Sequence, residues 1–179
     1  MDFSHRSVLL GETVDSLNVR PDGVYIDGTT GGGGHSFEIA SKLRGGKLYC
    51  FDKDEEALDA AKKRLSGFEN ITFIKSDFSN LDEYINEEID GMVLDLGVSS
   101  YQLDNPERGF SYMNDAPLDM RMDVSSPLTA KEIVNGSKRE ELIRILRDYG
   151  EENFAPLIAG AICRERERRK SPPPRSSPK

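Results

Sequence analysis

Long apolar runs are missing from this sequence: none approaches the ~18–20 residues that cross a bilayer. The opening residues, MDFSHRSVLLGETVD, lack the long apolar centre of a secretory signal. A cytoplasmic location without membrane association is therefore expected. Cysteine is scarce, with Cys50 and Cys163 the two present. They are too few and too far apart for a disulfide framework or a zinc cluster. Cys50, in the strand-like KLYCFD, reads as a small buried thiol. No pair of candidate ligands has metal spacing, so no metal is expected. Excess positive charge is lacking as well, since the net charge is −8. Residues 164–179 carry +5 and the first 163 residues −13, which excludes a general nucleic-acid coat protein but not a local RNA-binding patch. No internal repeat is visible.

What is present is a polar, globular composition, 36% hydrophobic and 31% charged over 179 residues, enough for one domain plus a small appendage. Short apolar runs alternate with helical stretches. GVYIDGT (23–29) reads as a strand and loop, His35 to Leu43 as a helix closed by Gly45-Gly46, and Lys47–Asp52 as a second strand. Asp54 is a good N-cap, followed by Glu55 and Glu56, with Lys62, Lys63 and Arg64 at the far end of that helix. Ile71–Ser76 and Gly91–Leu96 read as strands three and four. This alternation predicts an α/β fold with a parallel sheet covered by helices. Residues 98–128 then carry turn formers and no strand signal. Two capping boxes follow, Thr129-x-x-Glu132 and Ser137-x-x-Glu140, and a further helix is expected from Glu151 to about Arg168. The expected organisation is a binding part over 1–98, a helical subdomain over 99–168 and a low-complexity, disordered tail over 169–179.

The stretch YIDGTTGGGGHSFEIA places five glycines within residues 28–34, between the first strand and a helix. Each glycine costs roughly 0.5–1 kcal/mol relative to alanine in regular structure, so the run suits a ligand lying against bare backbone better than it suits stability. The dinucleotide pattern G-x-G-x-x-G is broken at Ser36, and the Walker signature G-K-[ST] is absent. An acidic strand end, Asp27, followed by glycines is instead the pattern of S-adenosylmethionine sites. Asp52 ends the second strand where a carboxylate can accept both ribose hydroxyls. Asp77, followed by Phe78, ends the third near an adenine edge, and Asp95 ends the fourth. Each aspartate alone has an ordinary loop or capping role; with the glycines they form a set.

The motifs HRSVLLGE (5–12), RPDGVYIDGTTGGGGHS (20–36), FDKD (51–54), LDLGVSSYQLDNPERGFSYMNDAPLDMRMD (94–123) and DYGEENFA (148–155) make the chain recognisable. It resembles the bacterial ribosomal small-subunit methyltransferase H family, also called MraW, over residues 5 to about 168. The resemblance implies a class I, Rossmann-like S-adenosylmethionine-dependent methyltransferase sheet with a helical insertion. It also implies N4-methylation of a decoding-centre cytidine in 16S rRNA, met within the small ribosomal subunit. Gly33, Gly34 and His35 match the methionine-side loop of the family, Asp52 its ribose partner and Phe78 its adenine contact. Asp95 and Gln102 match the remaining cofactor contacts. Asp95, Ser99 or Ser100 are candidate acceptors for the hydrogens of the cytosine amine. Residues 106–123 mix Arg108, Phe110, Tyr112 and Arg121, which suits an RNA-facing segment; the acidic residues among them favour a packing loop instead. Family members continue past this length with further strands, so later sheet strands are expected to be missing. A truncated, non-catalytic S-adenosylmethionine-binding fragment is the alternative, and an NAD-type oxidoreductase a distant third.

Overall fold

The computed structural model describes residues 9–170. Within these residues the chain divides into two compact units. One runs to Pro106 and includes Met122–Ser125; the other comprises Glu107–Arg121 and the residues from Ser126 onward.

The first unit is built on four parallel strands, β1 (Val24–Asp27), β2 (Lys47–Asp52), β3 (Ile71–Lys75) and β4 (Gly91–Val93), in the order β3-β2-β1-β4. The inner strands β1 and β2 are buried on both faces, as their apolar runs require, while the edge strand β3 exposes Thr72 and Lys75. Because side chains alternate across a strand, Tyr25, Leu48 and Cys50 enter one cluster with Ile39, Ala40, Ala61 and Leu65. Their neighbours Ile26 and Phe51 enter the other, with Ile74 and Ile85. The first cluster is covered by α1 (Leu10–Ser16), α2 (Gly34–Lys42) and α3 (Glu55–Arg64). Helix α1 is an element that the sequence pattern does not predict, since its seven residues span barely two turns.

Local signals explain the element ends. Asp54 caps α3, its Oδ1 accepting the Glu56 N–H at 3.1 Å, with the acidic first turn and basic last turn suited to the helix dipole. Two strands are shorter than their apolar runs. β3 stops at Lys75 and β4 at Val93, so Asp77 and Asp95 each lie two residues beyond a strand end rather than at it. Asp77 instead caps a 3-10 turn over Phe78–Glu83, accepting the Ser79 N–H. A short helix, α4 (Ser100–Asp104), follows within this unit, closed by a capping box between Ser99 and Gln102.

The second unit contains α5 (Ala130–Gly136), α6 (Arg139–Asp148) and α7 (Ala155–Lys170). Thr129 and Glu132 form the expected capping box. The second box does not form. Ser137 is the C-cap of α5, Lys138 takes the N-cap of α6, and no side chain caps that end. Arg166 of α7 donates from Nη1 to the Val134 and Ser137 carbonyls, satisfying groups that the end of α5 leaves unpaired. Helix α7 begins at Ala155, four residues later than expected, and takes in Arg169 and Lys170. The remainder of the expected tail lies outside the described residues.

Gly46 lies where backbone meets backbone: a Cβ there would come within 2.2 Å of the Gly23 carbonyl oxygen. Gly11, in α1, has nothing within 4 Å of its virtual Cβ. Gly46→Ala should therefore lower stability by about 1–3 kcal/mol through overpacking. Gly11→Ala should raise it by roughly 0.5–1 kcal/mol through helix propensity. Urea melts of the two variants beside the parent chain test both signs.

Candidate functional site

The carboxyl ends of β1, β2 and β3 and the segment after β4 open into one cavity of about 310 Å³ in the first unit. Such a position, at the carboxyl ends of parallel strands, is where open α/β sheets bind ligands. Gly28, Thr29, Gly31 and Gly34 line it from the first loop, and Met122 lines it from the four-residue return of the chain.

The first loop is anchored from below. Asp27 is 1% exposed, and its carboxylate accepts Ser36 Oγ at 2.6 Å and the Thr29 N–H at 3.2 Å. Ser36 Oγ also lies 3.3 Å from Cys50 Sγ, a thiol that burial pushes up to about 12 and so keeps neutral. Thr29 Oγ1 in turn accepts the Asp95 N–H at 2.6 Å, tying the exit of β4 to the same loop. Gly33 has φ 76, a conformation that glycine adopts without strain, and a Cβ there would touch Ala61 at 3.3 Å.

Asp52 lines the cavity, its Oδ2 accepting the Gly31 N–H at 2.8 Å and its Oδ1 the Asp54 N–H at 2.9 Å. Burial raises the pKa values of both Asp27 and Asp52, outweighing the hydrogen bonds that lower them. A rise in pH through that raised range therefore costs the fold stability. His35, second in α2, is 5% exposed and lines the cavity, and its Nε2 has no hydrogen-bond partner among the described residues. Across the cavity, Gln102 is held from two sides. Its Nε2 donates to Asp54 Oδ2 at 3.0 Å and its Oε1 accepts the Ser99 N–H at 3.0 Å.

Of the residues singled out in the sequence, Gly34, His35, Asp52, Phe78, Asp95, Ser99 and Gln102 all line this cavity. Gly33 does not; it shapes the turn and packs against α3. Ser100 opens α4, and its side chain lies outside the described residues. Lys53, Arg64 and Met122 also line the cavity and were not anticipated. The FDKD motif carried the signal for Lys53. Nothing local distinguished Arg64 from its basic neighbours Lys62 and Lys63.

Residues 2–173 match the model of the MraW methylase family. The chain belongs to this family. Among curated relatives it is 53% identical over 171 residues to the ribosomal RNA small subunit methyltransferase H of Clostridium botulinum (strain 657), covering 93% of this chain and 55% of that protein. It is 51% identical over 172 residues to the protein of that name from Clostridioides difficile, with the same shares of the two chains. The chain thus spans about 55% of the length of the curated relatives it matches. Among solved structures, an rRNA methylase from Streptococcus thermophilus aligns with a TM-score of 0.47 and 31% identity, covering 52% of this chain and 58% of that one.

In this MraW-family cavity, Lys53 Nζ sits 2.5 Å from Asp77 Oδ2, and that pairing, with the Ser79 N–H, pulls Asp77 down to about 2. The contribution of a depressed carboxylate is fully present above its unfolded value of 3.8 and is lost as pH falls through about 2. Asp77→Asn should lower the melting temperature at neutral pH by the equivalent of about 1 kcal/mol or less, because the pair is partly solvated. That gap should close between pH 4 and pH 2. Thermal melts across this range measure it.

Proposed function

We propose that this chain binds S-adenosylmethionine in the cavity above β1 and β2, and that it serves N4-methylation of a decoding-centre cytidine in 16S rRNA. The carrying observation is the meeting of an Asp-anchored glycine loop, Asp52 and a buried, unpartnered His35 Nε2 around one cavity. The cavity falls within the usual range of small-molecule sites, roughly 300–1,000 Å³, and its donor set suits a nucleoside bearing an amino-acid end. The bound group would supply a methyl carbon activated by a sulfonium sulfur.

Each Asp52 oxygen already accepts one backbone N–H and keeps a further lone pair, so two ribose hydroxyls can donate to it. His35 Nε2 offers a buried polar contact on the loop side, its hydrogen-bonding capacity otherwise unspent. Phe78 presents an aromatic ring for an adenine face. The first N–H groups of α2 have no intrahelical partner and would be available to the amino-acid end.

On the substrate side, the reaction asks for alignment of the nucleophile and an acceptor for the amine's hydrogens. Ser99 Oγ serves as the cap of α4, accepting the Gln102 N–H, and a carboxylate is a stronger acceptor than a hydroxyl, which supports Asp95 in the role. The backbone of Asp95 is fixed through Thr29, and the residue lines the cavity. Asp95→Asn should then lower turnover on small-subunit rRNA by about 100-fold or more, the order of one lost acid–base or charge-stabilising group. Ser99→Ala should cost about 1 kcal/mol of stability through the cap while leaving turnover largely intact. Radiolabel transfer with both variants decides between them. The second reading is a chain that binds the methyl donor without turnover, which the same assay would register as cofactor binding with no label transferred.

The direct test of the cofactor reading is thermal melting with and without S-adenosylmethionine. Ligand at about 100 times its dissociation constant adds roughly 2.7 kcal/mol, a rise of about 5–10 °C for a chain of this size. Asp52→Ala should abolish the rise. A cooperative melt without any rise would remove the reading.

A further inference from the structure

The cavity wall carries three carboxylates, Asp52, Asp77 and Asp95, and two long cations, Lys53 and Arg64. Lys53 is committed to Asp77. Arg64 forms no ion pair among the described residues. It is the last residue of α3, and its side chain crosses to the glycine loop, with Nη1 at 3.5 Å from the Gly32 carbonyl oxygen and its guanidinium carbon 5.8 Å from the centre of the Phe37 ring. A 3.5 Å contact is at the limit of hydrogen bonding, so nearly all of the five donors of the guanidinium stay available.

A basic residue in the last turn of a helix has an ordinary purpose, since it complements the helix dipole. Lys62 and Lys63 occupy the same turn, yet neither lines the cavity. Arg64 does, beside Gly31, Gly32 and Gly34. Electrostatics gives that placement a consequence. Three carboxylates favour a ligand's cationic parts and repel any anionic one unless a cation accompanies it. A methyl donor carries a sulfonium, an ammonium and one α-carboxylate. The carboxylate alone is mismatched to an acidic wall.

We infer that Arg64 is the residue that recognises the α-carboxylate of the cofactor, holding it against the glycine loop through a planar, charge-assisted pair. This rests on the methyl-donor reading above. The guanidinium lies beside the Gly32 carbonyl and the Phe37 ring on an exposed residue, where the charged end of the ligand can stay partly hydrated. The free N–H groups at the start of α2 share the same anion. Arg64 thereby selects for ligands that keep the whole amino-acid end over ligands that end at the sulfur.

Calorimetric titration with three ligands tests this: S-adenosylhomocysteine, its decarboxylated analogue, and 5′-methylthioadenosine, which lacks the amino-acid end. Arg64→Gln should weaken S-adenosylhomocysteine by roughly 10–100-fold and leave the two carboxylate-free ligands within about twofold of the parent chain, as expected for loss of a charge-assisted pair. Arg64→Lys should fall between, because a point charge replaces a two-pronged donor. An equal loss for all three ligands would assign Arg64 a structural role and overturn the inference, as would an unchanged affinity for S-adenosylhomocysteine. A parent chain that binds none of the three overturns the methyl-donor reading itself and this inference with it, so the two failures are told apart by the first titration.

Discussion

The buried carboxylate of Asp27 is the fixed point of the first unit. It sits at the end of the inner strand β1, out of contact with water, and must therefore be satisfied by hydrogen bonds from the chain around it. Ser36 and Thr29 supply them, and each links Asp27 to something further. Ser36 belongs to α2, so the first turn of that helix is set relative to β1. Thr29 takes the Asp95 N–H, so the chain leaving β4 is set relative to the same strand. The glycines between Thr29 and Ser36 are free to lie open because both ends of their loop are already held. Losing the carboxylate would free all three segments together and strand the buried partners.

A second anchor works on the opposite wall. Asp54 caps α3 with one oxygen and receives the Gln102 amide on the other, while Gln102 also closes the cap of α4. One aspartate thus fixes the helix after β2 and the segment after β4 against each other. Both anchors lie just outside the set of groups available to a ligand. That division leaves Asp52, Asp95 and His35 poised at the surface of the cavity, with the rigid hydrogen bonds spent behind them.

Much of this was legible in the sequence, for reasons that differ by residue. The four strands declared themselves because buried parallel strands need unbroken apolar runs. The cap at Asp54 and the box at Thr129 are local chemistry, written within three or four residues. The cavity set of Asp52, Phe78, Asp95 and Gln102 followed from strand ends and family motifs. What stayed hidden depends on neighbours distant in sequence. Ser137 has the right residue three positions on, but the preceding helix claims it as a C-cap, and Arg166 then occupies its carbonyl. The close approach of Gly33 to Ala61, a packing reason for glycine at that position, exists only once α3 is folded against the loop. Arg64 becomes informative only once α3 is folded over the glycine loop, because in sequence it is one of three consecutive basic residues.

The chain passes from the first unit to the second after Pro106, returns for Met122–Ser125 and leaves again. During synthesis all four strands, Asp52 and Gln102 leave the ribosome before this excursion begins, whereas Met122 follows it. Domains fold as units as they emerge, yet this one must wait for a stretch of the other before its last wall is in place. The order of assembly is thus written into the path of the chain: the sheet and the glycine loop first, the closing methionine last.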